Sequence, residues 1–285
     1  MSAATLDHVG LCTDRAETLW AEYERLGFTL TPVARQSGPR RPSAAPERLA
    51  TGNRCAMLRQ GYVELLGILE PGLFDNGIGG FVARYRGLHI LAFGVEQAEA
   101  ELPRLRRAGF DIAGVAPLQR PVDDAAPEGP LARFARLPMP DAPEGRLQLI
   151  EHLTPELLWQ ERWMRHPNHA VALEAAVLVS ADPAESAARL SRLTGAVLEP
   201  DPVGGFALPL PQGRMRILPE AALAAVLPGV AVPALPFIAG FVLRTDDDNA
   251  AARRILAGLE TREAPEGGLM VPPALAGGAA LVFRP

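Results

Sequence analysis

DHVGLCTDRAETLWAEYERLGFTLTP, residues 7–32, is the first of four similar stretches in this 285-residue chain. It begins with a short apolar strand and continues into a helix on which Leu19, Tyr23 and Leu26 share one face at the 3.6-residue period. Gly27 follows the helix, where a backbone with positive φ is least costly for glycine. A second apolar strand comes next. The stretch therefore predicts a β-α-β unit.

The same pattern returns at residues 88–114, 174–200 and 238–265, and each copy has a glycine after its helix. Two further strand-like runs follow every copy, so each unit reads as β-α-β-β-β. A unit of this size cannot bury both faces of its sheet alone, and we therefore expect the units to pair. The sequence predicts an α+β fold in which four βαβββ modules form two paired-module half-barrel domains.

A polar and aromatic stretch, TPELLWQERWMRHPNHA at residues 154–170, separates the second unit from the third. It reads as a helix that leads into a linker. The predicted organisation is modules 1 and 2 at residues 1–155, a helical linker at residues 156–169, and modules 3 and 4 at residues 170–285. Two proline-rich segments, residues 37–50 and 116–130, read as loops inside the first domain.

Composition and charge exclude several classes of function. The chain has 28 basic residues, all of them arginine, and a net charge of −5. Without lysine, neither Schiff-base chemistry nor a Walker-type phosphate loop is available. The negative charge and the lack of a basic patch argue against nucleic acid as a partner. The sequence shows no signal peptide and no apolar run of the roughly 18 residues that span a bilayer. With Cys12 and Cys55 interpreted as buried free thiols, we expect a cytoplasmic protein without a membrane partner.

Histidines and glutamates interrupt several of the apolar strands. His8 lies in TLDHVGLC and His89 in RGLHILAFGV, while Glu64 lies in YVELLGI and Glu151 ends LQLIE. Alternation along a strand places His8 on one face and Asp7 on the other. An ionised glutamate in an apolar strand costs several kcal/mol unless it is paired or bound to a metal ion. A hydrogen-bonded core histidine and a solvated edge glutamate are the structural alternatives.

The order and spacing of these motifs resemble the vicinal oxygen chelate superfamily, and within it the glyoxalase-like domain proteins. The resemblance rests on LDHVGL, GNR…GYVELLGILEP and LQLIEHLTPELLW…RHPNHAVAL. It covers residues 5 to about 180, and the rest only through the repeat. It implies one divalent ion, Zn, Ni, Co, Mn or Fe(II), in a cup shared by two modules. The implied ligands, on the first and fourth strands of modules 1 and 2, are His8, Glu64, His89 and Glu151.

The resemblance also implies an activity. The ion would chelate adjacent oxygens of a small oxygenated metabolite and stabilise an enediolate, with Glu64 or Glu151 as general base. This predicts a lyase or isomerase of glyoxalase type. The candidate substrate-binding residues are Asn53 and Arg54, which precede a strand expected to line the cup, and Tyr62, which shares the parity of Glu64. Two alternatives stay open, namely an Fe(II) dioxygenase that uses a two-histidine, one-carboxylate set, and a metal-free protein that binds a small molecule.

The strands of modules 3 and 4 carry no histidine or acidic residue at mid-strand. We therefore expect the second half to be a degenerate structural copy without a metal site. Modules 1 and 2 must then share one cup, either within a chain or across a homodimer. His152 directly follows Glu151, so alternation predicts that its ring points to the opposite face and is not a ligand.

Overall fold

A computed structural model describes residues 3–38, 47–139 and 141–285. The first half of the chain forms two β-α-β-β-β modules. The first consists of β1 (Thr5–Thr13), α1 (Ala16–Arg25), β2 (Ala34–Gly38), β3 (Glu47–Met57) and β4 (Tyr62–Ile68). The short helix α2 (Ile78–Arg84) leads into the second, which consists of β5 (Gly87–Gly94), α3 (Ala98–Arg107), β6 (Ala116–Pro121), β7 (Leu131–Met139) and β8 (Arg146–His152).

The second half repeats this order. A 3₁₀ turn at Pro155–Leu157 and helix α4 (Glu161–Met164) come first. The third module consists of β9 (Ala170–Val179), α5 (Pro183–Thr194), β10 (Glu199–Pro200), β11 (Phe206–Pro209) and β12 (Arg214–Leu218). After a 3₁₀ helix at Glu220–Ala225, the fourth consists of β13 (Phe237–Thr245), α6 (Ala250–Ile255), β14 (Arg262–Glu263), β15 (Leu269–Val271) and β16 (Ala280–Arg284), with a 3₁₀ turn at Pro273–Leu275. The predicted α+β fold of βαβββ modules is confirmed.

Antiparallel first strands join the modules in pairs, β1 with β5 and β9 with β13. Within each module the first strand runs parallel to the last, as β1 does to β4 and β5 to β8. The two pairs meet where Ile238 of β13 lies opposite Leu88 of β5, so the strands form one open sheet. Modules 1 and 2 thus share a cup within a single chain.

The helices pack their apolar faces on one side of this sheet, as the periodicity predicts. In α1, Leu19 and Tyr23 are buried, and in α5, Leu190 and Leu193 are buried. The glycines after the module helices have φ between 77° and 89°, a left-handed conformation that a side chain would strain. Because these signals are local, the helix faces and the glycines after the helices can be predicted from the sequence.

The proline-rich segments differ from their prediction as loops. Strand β2 extends to Gly38, β3 begins at Glu47, and β6 occupies Ala116–Pro121, while residues 39–46 lie outside the described part of the chain. Among the described strands β6 is hydrogen-bonded only to β7, and an edge strand tolerates proline because one side of its backbone needs no partner. The domain limits at residues 155 and 170 stay a prediction. No helix in the described ranges is long and apolar enough to cross a membrane.

His166 attaches the segment after α4 to the first module. The backbone N–H of Thr29 donates to His166 Nδ1 at 3.0 Å, and His166 Nε2 donates to the carbonyl oxygen of Met57 at 2.7 Å. These two contacts require a neutral ring with its hydrogen on Nε2. Burial lowers the pKa of His166 to about 4, despite the hydrogen bond to Met57.

We expect the melting temperature to fall as the pH is lowered from about 6.5 to about 4. The unfolded chain protonates His166 near pH 6.5, whereas the folded chain resists protonation down to about pH 4, so acid favours unfolding. His166 lowers the free energy of unfolding by up to about 1.4 kcal/mol per pH unit in this window. Thermal unfolding across the window should show a shallower dependence for His166→Gln than for wild type. His169→Gln, at an exposed histidine, is the control, and equal slopes in all three proteins would contradict the assignment.

Candidate active site

The face of the sheet opposite the helices is concave where modules 1 and 2 meet, and it encloses a cavity of about 40 Å³. We call this region the first cup. Module 1 contributes polar side chains from β1, β3 and β4, and module 2 contributes basic and amide side chains from β6, β7 and β8. The lining includes His8, Asn53, Tyr62, Glu64, Ile90, Arg120, Phe134, Arg136, Arg146, Gln148 and Ile150.

A β-bulge turns Asp7 toward His8. Strand β1 has one extra residue at this point relative to β5, which disrupts the alternation of faces. Asp7 Oδ1 lies 2.6 Å from His8 Nδ1, and Asp7 Oδ2 lies 3.0 Å from His152 Nε2. The prediction that Asp7 faces away from His8 is therefore corrected. The bulged carboxylate joins two imidazoles beside the first cup.

The Asp7 carboxylate orients the ring of His8. Burial alone would raise the pKa of Asp7, but the charge of His152 and hydrogen bonds from both imidazoles outweigh burial and hold it well below its usual range. A carboxylate can only accept, so His8 Nδ1 carries a hydrogen, and in the neutral ring the lone pair is on Nε2. Tyr62 stacks on the ring with the centroids 4.3 Å apart. The lone pair of Nε2 is therefore held in one orientation.

Glu64 lies across the cavity from this nitrogen. His8 Nε2 and Glu64 Oε2 are 3.9 Å apart, too far for a direct hydrogen bond. Asn53 Nδ2 donates to the other carboxylate oxygen, and all three side chains are buried. A gap of this length between two proton-accepting groups is suited to a reacting molecule that contacts both.

His89, predicted as the second histidine ligand, lies outside the first cup. It is the extra residue of a bulge in β5, and its ring stacks on Tyr85 with the centroids 3.9 Å apart. His89 Nε2 lies 2.8 Å from the carbonyl oxygen of Tyr85, and burial lowers the pKa of His89 to about 4. The β1–β5 register is symmetric about the pair Val9 and Leu91. By this symmetry the counterpart of His8 is Ile90, which has no ligand atom.

Glu151, predicted as a ligand and alternative base, faces the helices. Its Oε2 accepts a hydrogen bond of 2.8 Å from the backbone N–H of Ala98, the first residue of α3. There it satisfies a free donor and the positive end of the helix dipole. In the β1–β4 and β5–β8 registers, the residue that corresponds to Glu64 is Gln148. His152, rather than Glu151, lies on the cup side of β8 and reaches Asp7.

The donor set does not fit the four-ligand metal centre. Of the predicted ligands, only His8 and Glu64 face each other, and the two symmetry-related positions hold Ile90 and Gln148. Within residues 3–38, 47–139 and 141–285, no group of three or more histidine, cysteine, aspartate or glutamate side chains is arranged to hold a metal ion. Arginine side chains occupy the module 2 side of the cup, where a cation would be repelled.

The predicted substrate-binding residues divide by strand face. Asn53 and Tyr62 line the first cup, whereas Arg54 points to the helices because it follows Asn53 on β3. Arg54 Nε donates to the carbonyl oxygen of Thr31 at 2.8 Å, and its Nη1 donates to Glu24 Oε1 at 2.8 Å. Arg54 therefore has a structural role between β3 and α1 and does not reach the cup.

Arginines that the sequence analysis missed complete the first cup. Arg120 is only 6% exposed, and Nε of Arg136 is buried without a hydrogen-bond partner. Burial, followed by the charge of Arg146, lowers the pKa of Arg136 to about 10. Arg146 Nη2 donates to the carbonyl oxygen of Asn76 at 2.5 Å. The cup thus combines an acid–base pair on module 1 with positive charge on module 2.

The corresponding face of modules 3 and 4, which we call the second cup, is filled. Apolar side chains from both modules and from the 3₁₀ helix at Glu220–Ala225 pack inside it. Arg216 occupies the place of Glu64, since it lies opposite Val177 in the β9–β12 register. It forms two hydrogen bonds of 2.7 Å to Asp201 and one of 2.7 Å to Glu266. This arrangement leaves no acid–base pair comparable to that of the first cup.

A larger groove of about 290 Å³ lies between α1 and the segment 273–278. Its arginines, Arg15 and Arg86, are exposed to solvent. Because an exposed charge is screened by water, this groove lacks the conditions that make side chains reactive. The first cup, although smaller, is the better candidate.

A family model described as a glyoxalase-like domain matches residues 6–194. The chain belongs to this glyoxalase-like family. The match covers both modules of the first cup, the linker and the start of module 3. Comparison with functionally curated proteins finds no match.

Three solved structures resemble the whole chain in fold. A hypothetical protein from Staphylococcus aureus is 11% identical with a TM-score of 0.65, and 99% of each chain is covered. The Mn(II)-bound glyoxalase from Novosphingobium aromaticivorans is 13% identical with a TM-score of 0.55, covering 99% of this chain and 82% of that one. A xylose isomerase-like TIM barrel/4-hydroxyphenylpyruvate dioxygenase fusion protein is 16% identical with a TM-score of 0.54, covering 99% of this chain and 49% of that one. At these identities the likeness concerns the fold alone.

We expect Mn(II) or Zn(II) to leave the melting temperature of the chain unchanged within ~1 °C. An ion held by four side chains at 100 times its Kd would add about 2.7 kcal/mol of stability, but the first cup presents only His8 and Glu64. Calorimetry of chelator-treated wild type and of His8→Ala, each with added metal, measures this. If added metal raised the melting temperature of wild type by several degrees but not that of His8→Ala, the prediction of a metal site that includes His8 would be supported.

Proposed function

We propose that the first cup is the active site of a lyase or isomerase that moves protons on a small oxygenated metabolite. His8 and Glu64 act as the acid–base pair. The observation that carries this proposal is the free Nε2 of His8, held by Asp7 and facing the Glu64 carboxylate across 3.9 Å. Membership of the glyoxalase-like family supports this class of chemistry.

The proposed reaction begins with a substrate that has a hydroxyl-bearing carbon next to a carbonyl. His8 Nε2 takes the proton from that carbon, and the electron pair moves to the carbonyl oxygen to form an enediolate. Asp7 stabilises the imidazolium that results, as the carboxylate of a catalytic triad does. Glu64 takes the hydroxyl proton and returns it to the other oxygen. His8 then protonates the neighbouring carbon, so the atoms balance without an oxidant or reductant.

The negative charge that develops on the substrate oxygens needs stabilisation. The family resemblance assigns this task to a metal ion, whereas the first cup offers the guanidinium groups of Arg120 and Arg136. Fixed positive charges in a buried site stabilise a developing oxyanion because they need no rearrangement during the reaction. The dioxygenase alternative required His89 and Glu151 beside His8, and both lie elsewhere.

A second candidate is binding of a small molecule without turnover. Aromatic rings favour it, since Tyr62 stacks on His8 and Trp159 packs against both Tyr62 and His152, with centroids 6.0 and 4.8 Å away. In this case His8 and Glu64 would serve as hydrogen-bonding partners of the ligand.

Hydrogen exchange tests the two candidates together. Chelator-treated protein in D₂O is incubated with small 2-hydroxy aldehydes, ketones and carboxylates, and proton NMR follows deuterium uptake at the carbon beside the carbonyl. The proposal expects uptake at least about 100-fold faster than in buffer for one substrate. Binding without uptake would favour the second candidate. Uptake only after Mn(II) or Zn(II) is added would favour a metal-dependent glyoxalase.

A further inference from the structure

Arg120 and Arg136 place positive charge in the first cup. The guanidinium carbon of Arg120 lies 5.9 Å from the Phe134 ring, and Nε of Arg136 is buried without a hydrogen-bond partner. Among the described residues, no carboxylate lies within 4.0 Å ion-pair distance of either guanidinium group. Glu64 attracts Arg136 across the cup without forming an ion pair with it. A buried charge without an ion-pair partner is costly, and such groups are normally paired or bound to a ligand. The arrangement therefore indicates an anionic ligand.

Two amide oxygens in the same cup also lack partners. Asn53 Oδ1 and Gln148 Oε1 are both buried and accept no hydrogen bond, although Asn53 Nδ2 donates to Glu64. A buried acceptor without a donor is uncommon in a folded protein. Because both residues line the cavity, a ligand that carries a hydroxyl group would supply the missing donor.

The size of the cavity limits the ligand. It measures about 40 Å³, on a scale where one water molecule needs roughly 10–15 Å³. It therefore has room for about three water molecules, or for a ligand of a few non-hydrogen atoms. A larger ligand would have to extend out of the cup.

We propose that the first cup selects a small hydroxycarboxylate. Arg120 and Arg136 hold the carboxylate, because a planar guanidinium matches its two oxygens. Gln148 or Asn53 accepts the hydrogen bond of the hydroxyl group. This inference names the substrate class of the proposed function and rests on it in placing both events in one cup. On a hydroxycarboxylate His8 returns the proton to the carbon from which it was taken, so the hydrogen is exchanged and the carboxylate is unchanged.

A series of matched ligands tests the class in the wild-type protein. Glycolate carries both groups, acetate lacks the hydroxyl, and glycolamide replaces the carboxylate by a neutral amide of the same shape. Titration calorimetry at low salt should show glycolate binding at least tenfold more tightly than glycolamide, and more tightly than acetate. Inorganic phosphate is the competing anion. Phosphate binding tenfold tighter than glycolate, or equal binding of glycolate and glycolamide, would overturn the assignment.

Matched variants test the residues. Arg136→Gln and Arg120→Gln should each weaken glycolate binding at least tenfold, while leaving the much weaker glycolamide binding unchanged. Arg133→Gln is the control, since Arg133 lies on the same strand as Arg136 but is exposed. Thermal unfolding verifies that each variant is folded. Full affinity in both cup variants would refute the role of the arginines, and the wild-type ligand series decides the class even when a variant does not fold.

The binding experiment and the exchange experiment test the two proposals separately. Selective glycolate binding without deuterium uptake on any substrate would support the substrate class and reject the proposed catalysis. Uptake that is fastest on neutral hydroxyketones, without selective glycolate binding, would support the catalysis and reject the carboxylate class.

Discussion

Replacing His8 by glutamine is expected to lower the rate of deuterium exchange into the substrate by about 10² to 10⁴-fold, the usual effect of losing a general acid–base group. Glutamine keeps a polar side chain in the place of the ring but cannot accept and return a proton. Glu64→Gln should produce a loss of similar size, because it keeps the shape and the contact to Asn53 while removing the carboxylate. NMR exchange rates for the three proteins measure both effects.

Binding separates this catalytic role from a structural one. Glycolate affinity should change by less than about threefold in His8→Gln, since the arginines that hold the carboxylate remain. His169→Gln, at an exposed histidine paired with Asp246, is the control for loss of an imidazole. An exchange rate in His8→Gln within about threefold of wild type would show that His8 is a core histidine without a chemical role.

The largest expected loss of stability comes from the second cup. Arg216→Leu should lower the free energy of unfolding by about 3–5 kcal/mol, because it leaves the Asp201 carboxylate buried without its partner. The side chains of Arg216 and Asp201 are only 6% and 2% exposed, so water cannot replace the lost contact. Chemical denaturation of the full chain gives the difference directly.

Two comparisons identify the cause. In the double variant Arg216→Leu with Asp201→Leu, most of the lost stability should return, since no uncompensated charge remains. Arg253→Leu breaks an exposed pair with Glu263 and should leave the melting temperature unchanged within error. Equal losses in the single and double variants would show that side-chain volume, rather than charge, holds the second cup together.

The sequence predicts the architecture because its signals are local and repeated. The apolar face of α1, with Leu19 and Tyr23, and the glycine that follows the helix can be read within one short window. The same window occurs four times, and units that cannot bury their own sheet must pair. Strands at the edge of the sheet are harder to predict from the sequence. The strand β6 shows this, because edge strands accept the prolines that otherwise indicate a loop.

The site was only partly predictable for a different reason. His8 and Glu64 follow regular alternation with the cup residues around them, whereas His89 sits on a bulge. One extra residue in a strand reverses the faces of the residues beside it, and a single sequence contains no direct sign of it. The bulge at Asp7 likewise has no direct sign in the sequence, so only the structure shows that Asp7 is the partner of His8.

For β8 the sequence did contain the necessary signal. Leu147 and Leu149 share the parity of Glu151 and pack under the helices, while Arg146 and Gln148 share the parity of His152. The polar residues mark the cup face of β8, and by alternation Glu151 lies with the leucines on the helix face.

The arginines of the first cup also have opposite effects on thermal stability and on ligand binding. Replacing Arg120 by leucine would add apolar burial and remove a desolvated charge, so a screen for thermal stability would favour it. The same change would erase the anion contact. In the second cup the same kind of substitution would break ion pairs, because Arg216 already has carboxylate partners in Asp201 and Glu266. Descendants of this chain adapted to heat without need of a ligand should therefore lose the arginines of one cup and keep those of the other.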